Sequence, residues 1–183
     1  MRALVFATRN RKEILRDPLN LAFGIGFPLV VLFLLSAIQA NIPIDLFQVE
    51  QLIPGIAVFG LSFLSLFSGM LIAKDRGTSF LMRLMASPLT AVDAILGYLI
   101  PLVPMALAQM AVSFLAALLL GLALNLRILL ALLVLLPCAL LFIGIGLWAG
   151  SVFNDKQVGG ICGALLTNLS AWLSGTWFDL NLV

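Results

Sequence analysis

The residues of this sequence that could do chemistry are few, and several of them share one polar stretch between two apolar runs. The stretch extends from Lys74 to Gly97 and contains five charged residues, which are Lys74, Asp75, Arg76, Arg83 and Asp93. They have no catalytic spacing, but charged side chains of this kind form ion pairs and charge-assisted hydrogen bonds with a partner. We therefore interpret the stretch as a surface that another protein binds.

Other kinds of chemistry are excluded by what the sequence lacks. It contains no histidine, which excludes histidine-based catalytic triads and imidazole metal sites. Its two cysteines, Cys138 and Cys162, lie within apolar runs, where buried thiols are expected rather than a disulfide. It also has no G-x-x-x-x-G-K-S/T loop for binding ATP. We expect no catalytic residue, metal or cofactor on this chain.

The composition is that of an integral membrane protein. Hydrophobic residues make up 63% of the 183 residues and charged residues 10%, against about 25% charged in a soluble domain. Membrane spans are predicted at about residues 19–40, 52–73, 95–124, 128–150 and 158–178. The first run would rise about 33 Å as a helix, and it is too long for the core of a signal peptide, which is the alternative. The predicted fold is all-α, with a single transmembrane domain over residues 1–183.

A short helix is predicted to present the polar stretch. Residues 79–85 alternate apolar and polar side chains, which places Phe80, Leu81 and Leu84 on one side of one or two helical turns. The alternative is that residues 74–94 form a solvated basic linker.

Two helix starts can be read from local sequence. Asp17 followed by Pro18 is a cap followed by a first-turn proline. After Pro88, which ends the short helix, Thr90 and Asp93 have the spacing of a capping box. A new helix is therefore predicted to begin at Thr90.

Residues 1–17 are basic and amphipathic and are predicted to form a helix in the cytoplasmic headgroup layer. The alternative is a solvated basic arm that only fixes the topology. With the N-terminus in the cytoplasm, nine of the ten Lys and Arg residues lie on that side and only Arg127 lies outside, as the positive-inside rule requires. We expect residues 74–94 to be a cytoplasmic loop and the chain to lie in the plasma (inner) membrane.

Small polar residues recur at helical spacing in the second and fifth predicted spans. They are a candidate substrate path, formed by Ser62, Ser65, Thr167, Asn168 and Ser170. The alternative is close helix packing, for which small residues are the ordinary solution in lipid. No ionisable residue lies well inside a span, which argues against a proton-driven carrier and against a membrane hydrolase.

Three parts of the polar stretch form a pattern, which consists of Asp75-Arg76-Gly77-Thr78, the run RLMASPL from Arg83 to Leu89, and Leu96-Gly97. This pattern resembles the cytoplasmic loop of type-2 ABC exporter (ABC-2) permeases. The basic N-terminal helix and the order of the spans are similar too, so the resemblance covers essentially all 183 residues. The sequence departs from the family's pattern at Asp75, where glutamate is the familiar residue, and at Tyr98, where lysine is frequent.

The resemblance implies the membrane subunit of an ATP-driven exporter. Two such permease protomers pair as a homodimer or a heterodimer, and each binds a separate ATPase subunit that holds ATP and Mg²⁺. The short helix docks in a groove of the ATPase, and the N-terminal helix adds a second contact. The residues implied to couple to the ATPase are Asp75, Arg76, Gly77, Thr78, Arg83, Ser87 and Pro88, and those of the N-terminal helix are Arg9, Arg11 and Lys12.

The predicted function is therefore that of a permease subunit, with a substrate path at a dimer interface formed by spans one, two and five. An apolar or amphipathic substrate suits the uncharged interior, and the expected surroundings are the lipid bilayer, with no nucleic acid. The resemblance also implies a sixth span that the sequence to Val183 does not include, so we expect a fragment or a truncated copy. The alternatives are a non-transporting scaffold or assembly subunit and a lipid-modifying membrane enzyme.

Overall fold

The computed structural model describes residues 2–43 and 47–177, which fold into helices joined by short turns. The first helix is α1 (Arg2–Leu15), and the polar stretch begins within α3 (Val49–Arg76) and includes α4 (Ser79–Met85). Between α1 and α3, α2 consists of the consecutive segments Pro18–Leu21, the π-helical Ala22–Gly26, and Phe27–Gln39. After α4 come α5 (Ala91–Leu119), α6 (Leu126–Val152) and α7, which consists of Asp155–Val158, the π-helical Gly159–Leu166, and Thr167–Leu173.

Within the described part of the chain, four helical stretches are long and apolar enough to cross a membrane. They are Ala22–Gln39, Val49–Arg76, Ala91–Leu119 and Leu126–Val152, and they overlap the first four predicted spans. α7 is not among them, and it starts with the polar residues Asp155, Lys156 and Gln157.

The fifth predicted span is shorter in the structure than the sequence analysis had it. α7 ends at Leu173, and Phe178, where the span was predicted to end, lies outside the described residues. The chain leaves the helix at Gly175, whose φ of 74° is the left-handed conformation that glycine adopts without strain. Just before and after it, the hydroxyls of Ser174 and Thr176 share a hydrogen bond of 2.7 Å.

The central element of the bundle is α3. In its most apolar window 78% of the residues are buried, compared with 22% in that of α6. Every residue from 55 to 73 is buried or half-buried, because α2, α5, α6 and α7 all pack around this helix. Little of residues 55–73 is therefore left for the interface between two protomers that was predicted to include the second span.

α3 and α6 approach each other closely through small residues. A Cβ atom added to Gly146 would collide with the Ser65 carbonyl and the Ser68 hydroxyl, and one added to Gly150 would collide with the backbone of Gly69. The Ser68 hydroxyl also donates to the Ile143 carbonyl of α6 at 3.0 Å. Small residues and short interhelical hydrogen bonds of this kind are how helices associate in lipid, where apolar side chains gain little from leaving the solvent.

At one end of the bundle α1 lies against the start of α5. The Phe6 ring packs where Gly97 has no side chain and meets the Tyr98 ring edge-on, with ring centroids 4.9 Å apart. α4 covers the same apolar cluster with Phe80 and Leu84, as predicted for these two residues, whereas the side chain of Leu81 lies outside the described part. This packing brings α1, α4 and the end of α3 together.

Candidate functional site

The turn between α3 and α4 is only two residues long, so the two helices are closely connected. Gly77 ends α3 in an ordinary right-handed conformation, with a φ of −71°. Thr78 caps α4: its hydroxyl accepts a hydrogen bond from the Phe80 amide at 3.3 Å and donates one to the Asp75 carbonyl at 3.0 Å. A movement of α4 therefore acts directly on the end of α3.

A buried cluster of polar residues lies beside this turn, and we call Arg9, Asn10, Asp75 and Tyr98 the Asp75 cluster. Asp75 is almost fully buried, with 2% of its surface exposed. Its two carboxylate oxygens each accept a hydrogen bond from the Arg9 guanidinium at 2.7 Å, and the Tyr98 hydroxyl donates to one of them at 2.8 Å. A buried carboxylate requires this kind of pairing, because an unpaired charge in the interior is strongly unfavourable.

Arg9 extends the Asp75 cluster towards α1 and α4. Its guanidinium contacts the Glu13 carboxylate at 2.9 Å and lies over the Phe80 ring, 4.3 Å from the ring centroid. Burial acts to lower the pKa of Arg9, but the Asp75 and Glu13 carboxylates outweigh it, so the pKa is raised. The side chain therefore stays charged and joins three helices.

Asn10 holds α1 to α5 within the same cluster. Its side chain is fully buried and donates from Nδ2 to the Gly97 carbonyl at 3.0 Å, while its Oδ1 accepts from Arg9 at 2.7 Å. The carbonyl at residue 97 belongs to the first turns of α5. α1 is thus fixed both to α5 and, through Arg9, to α3.

Arg76 points to another side of α3 and binds the end of α6. Its Nη1 donates to the carbonyls of Gly150 at 2.9 Å and Phe153 at 3.2 Å. The last carbonyls of a helix lack partners within the helix, and a positive charge is favourable beside them. The adjacent residues Asp75 and Arg76 therefore connect α3 to two different groups of helices.

The outer side of α4 and the turn that follows it are exposed. The Met82 side chain is 76% exposed, and Arg83 is also exposed, with one hydrogen bond of 3.0 Å to the Ser79 hydroxyl. Arg11 and Lys12 on α1 are exposed as well. These side chains are free to meet another protein.

The sequence model of the family described as ABC-2 type transporter matches residues 2–182 of the chain. The chain belongs to the ABC-2 type transporter family. It is an integral membrane protein and a permease component of an ABC-type transporter, in a family whose membrane components are not themselves catalytic and work with an ABC ATPase. No curated protein and no solved structure matches the chain.

The predicted coupling residues of this ABC-2 permease differ in how exposed they are and in whether they are bonded within the chain. Asp75 is buried, and its carboxylate is bonded to Arg9 and Tyr98 within the chain. Arg76 is exposed but bonded to α6, and Arg9 is half-buried in the Asp75 cluster. The residues that remain accessible for direct contact are Gly77, Thr78, Arg83, Pro88, Arg11 and Lys12.

Hydrogen bonds fix the segment between α4 and α5. Half-buried Ser87 donates to the Leu84 carbonyl at 2.6 Å, and the Pro88 carbonyl accepts a hydrogen bond from Arg2 of α1 at 2.6 Å. The capping box of Thr90 and Asp93 is confirmed, with both reciprocal hydrogen bonds present. α5 therefore starts at a well-defined place.

Four of the five residues of the candidate substrate path are buried in the ABC-2 permease. Ser62 and Ser65 are fully buried, and each hydroxyl donates to a carbonyl of α3 itself at 2.6 Å. Thr167 and Ser170 are buried too and bond to carbonyls of α7 at 2.8 Å. Asn168, in contrast, is exposed on the outer side of α7. Burial of these four residues is what close helix packing predicts, and the substrate path stays a prediction.

Sequence reasoning missed Tyr98 and Asn10. Tyr98 is the only tyrosine of the chain and follows Gly97. A single polar aromatic residue near the start of an apolar helix was the signal that could have identified it. It is also one of the two departures from the family's pattern, and it bonds to the other one, Asp75. Asn10 gave no signal, because a polar residue in a basic amphipathic helix is ordinarily solvated.

Proposed function

We propose that this chain is the permease subunit of an ATP-driven exporter in the plasma (inner) membrane. Its α4 and the turns around it, residues 77–90, dock on a separate ATPase subunit that binds ATP and Mg²⁺. The observation that carries this proposal is the position of α4: a short helix follows the most buried helix of the bundle after only two residues. A partner that moves α4 would thereby move the centre of the bundle.

The two faces of α4 support a docking role. Phe80 and Leu84 pack inward on the cluster of Phe6, Leu71 and Tyr98, whereas Met82 and Arg83 face outward. An exposed methionine next to a cation suits a protein partner, because methionine adapts to irregular apolar surfaces and a charge orients the encounter.

The orientation of the chain follows from its charges. With the N-terminus in the cytoplasm, α1, α4 and the turn before α7 are on the cytoplasmic side together with nine of the ten Lys and Arg residues. A nucleotide-driven partner is then able to reach α4. A second permease protomer, identical or related, would cover the apolar outer faces of α2 and α7, where Phe33, Leu34, Leu169 and Trp172 are exposed.

The substrate class that we propose is an apolar or amphipathic compound, because the bundle offers no charged group in the middle of its membrane-crossing helices. Efflux of such a compound would depend on ATP and on the partner ATPase.

The test is co-purification from the native cell in a gentle detergent, with the retained proteins identified by mass spectrometry. The variant is Arg83→Glu, and the matched control is Lys156→Glu, which makes the same charge change at an exposed residue in the first turn of α7. We expect an ATPase subunit to be retained by the wild type and the control, and its affinity to fall about tenfold or more in Arg83→Glu, which corresponds to 1.4 kcal/mol. A wild-type chain that retains no ATPase subunit would contradict the proposal.

A further inference from the structure

We propose that Arg9 and Asp75 form a positioning site that transmits movement of α4 to the membrane helices without touching the ATPase. The inference rests on the proposed function, since it assumes that an ATPase moves α4. It assigns to these two residues a role different from docking.

Arg9 is the residue of the pair that contacts α4. Its guanidinium lies over the Phe80 ring at 4.3 Å, and Phe80 is in the first turn of α4. The same guanidinium holds both oxygens of Asp75 at 2.7 Å. A shift of Phe80 therefore changes the environment of the group that fixes the end of α3.

The geometry of the Arg9 and Asp75 pair makes it sensitive to such a shift. Two parallel N–H···O bonds between a guanidinium and a carboxylate require the two planar groups to stay aligned. The Asp75 carboxylate is buried, so water does not readily replace a bond that is lost. The pair therefore favours discrete arrangements over gradual sliding.

The rest of the Asp75 cluster determines which helices move. Asn10 binds the Gly97 carbonyl and Tyr98 binds Asp75, so that α1 and α5 follow the pair as one unit. On another side of α3, Arg76 holds the end of α6. The relative position of α1 and α6 is thus the quantity that this site controls.

The experiment measures that position in the full complex with its ATPase in lipid nanodiscs. Spin labels are placed at Val5 of α1 and Ser151 of α6, two exposed residues outside α4, in a background where Cys138 and Cys162 are replaced by alanine. The distance between the labels is recorded with ADP and with a non-hydrolysable ATP analogue. The variants are Asp75→Asn, which removes the charge, and Asp75→Glu, which keeps a carboxylate.

In the wild type and in Asp75→Glu we expect the distance between the labels to change with the nucleotide. In Asp75→Asn we expect the ATPase to stay bound with unchanged affinity, while the nucleotide-dependent change disappears and ATP-driven transport falls about tenfold, within the usual range of coupling free energies. A merely structural role would reduce the amount of folded protein and leave the response of the remaining complexes intact.

Two results would overturn the inference: an Asp75→Asn complex that responds to nucleotide as the wild type does, or one that loses the ATPase. The first would show that the pair transmits nothing, and the second that Asp75 supports docking itself. Failure of the proposed function is distinguishable from both, because the wild-type chain would then retain no ATPase in the first place.

Discussion

The polar stretch has an inner half, residues 74–76 at the end of α3, and an outer half, α4, which are close in sequence and differ in almost every physical respect. Asp75 is 2% exposed and accepts hydrogen bonds from two other helices. Arg83 is exposed and, among the described residues, bonds only to Ser79, one turn away on its own helix. The resemblance gave both residues the same role, but their surroundings allow only Arg83 to meet a partner. The inner half holds the helices together, and the outer half is available for binding.

Arg76 lies between these two cases. It is exposed, yet its guanidinium is directed at the end of α6. Charge reversal at Arg76 would therefore mix two effects, loss of a contact inside the chain and loss of a docking contact. Arg83 tests docking more cleanly. The comparison predicts an order of effects on stability, from the buried half to the exposed half.

The largest loss of stability is expected for Asp75→Ala. The change leaves the Tyr98 hydroxyl without its acceptor and Arg9 with only Glu13 as a charge partner, and we expect the free energy of unfolding to fall by about 3 kcal/mol. Thermal unfolding in detergent, followed with a thiol-reactive dye that reports exposure of the buried Cys162, measures it. The control is Asp155→Ala, at an exposed carboxylate. Equal losses of stability in the two variants would contradict the distinction between the buried and the exposed carboxylate.

A smaller loss is expected for Arg76→Ala. The variant removes two hydrogen bonds to the end of α6 and the charge that is favourable there, for a net cost of about 1 kcal/mol. Arg76→Lys keeps the charge and should recover part of the loss in the same unfolding assay. A loss as large as that of Asp75→Ala would mean that exposure is a poor guide to the role of these residues.

Arg83→Glu is expected to leave the unfolding temperature unchanged, because its side chain makes one exposed contact with its own helix. The same variant is the one expected to lose the ATPase. If it unfolds earlier than the wild type, its effect on co-purification would reflect a damaged fold, and the separation of the two halves would be lost.

Local signals explain what could be predicted from the sequence. In the described part of the chain, the apolar runs place the four helices that are long enough to cross a membrane, and the capping box at Thr90 and Asp93 marks the start of α5. The amphipathic pattern of residues 79–85 gives α4 and the inward side of Phe80 and Leu84. Each of these features depends on residues within a few turns of each other.

Features that depend on packing between distant segments were not predictable in the same way. Arg9 and Asp75 are 66 residues apart, and nothing local shows that α1 folds onto α5 and brings the two together. The serines of α3 have the same spacing whether they line a path or a helix contact, and their spacing does not show that Gly146 and Gly150 of α6 approach this helix closely. The end of α7 at Leu173 depends on a turn at Gly175, which lies inside the span predicted to reach residue 178.

The central claim is that the outer side of α4 contacts an ATPase, and site-specific photo-cross-linking tests it most directly. A photoreactive amino acid replaces Met82, which is 76% exposed on α4, and in a separate variant Leu129, which is exposed near the start of α6. Both are irradiated in the native membrane. We predict a cross-link to an ATPase subunit from position 82 and none from position 129. An ATPase that co-purifies with the chain but cross-links to neither position, or to both equally, would contradict the account.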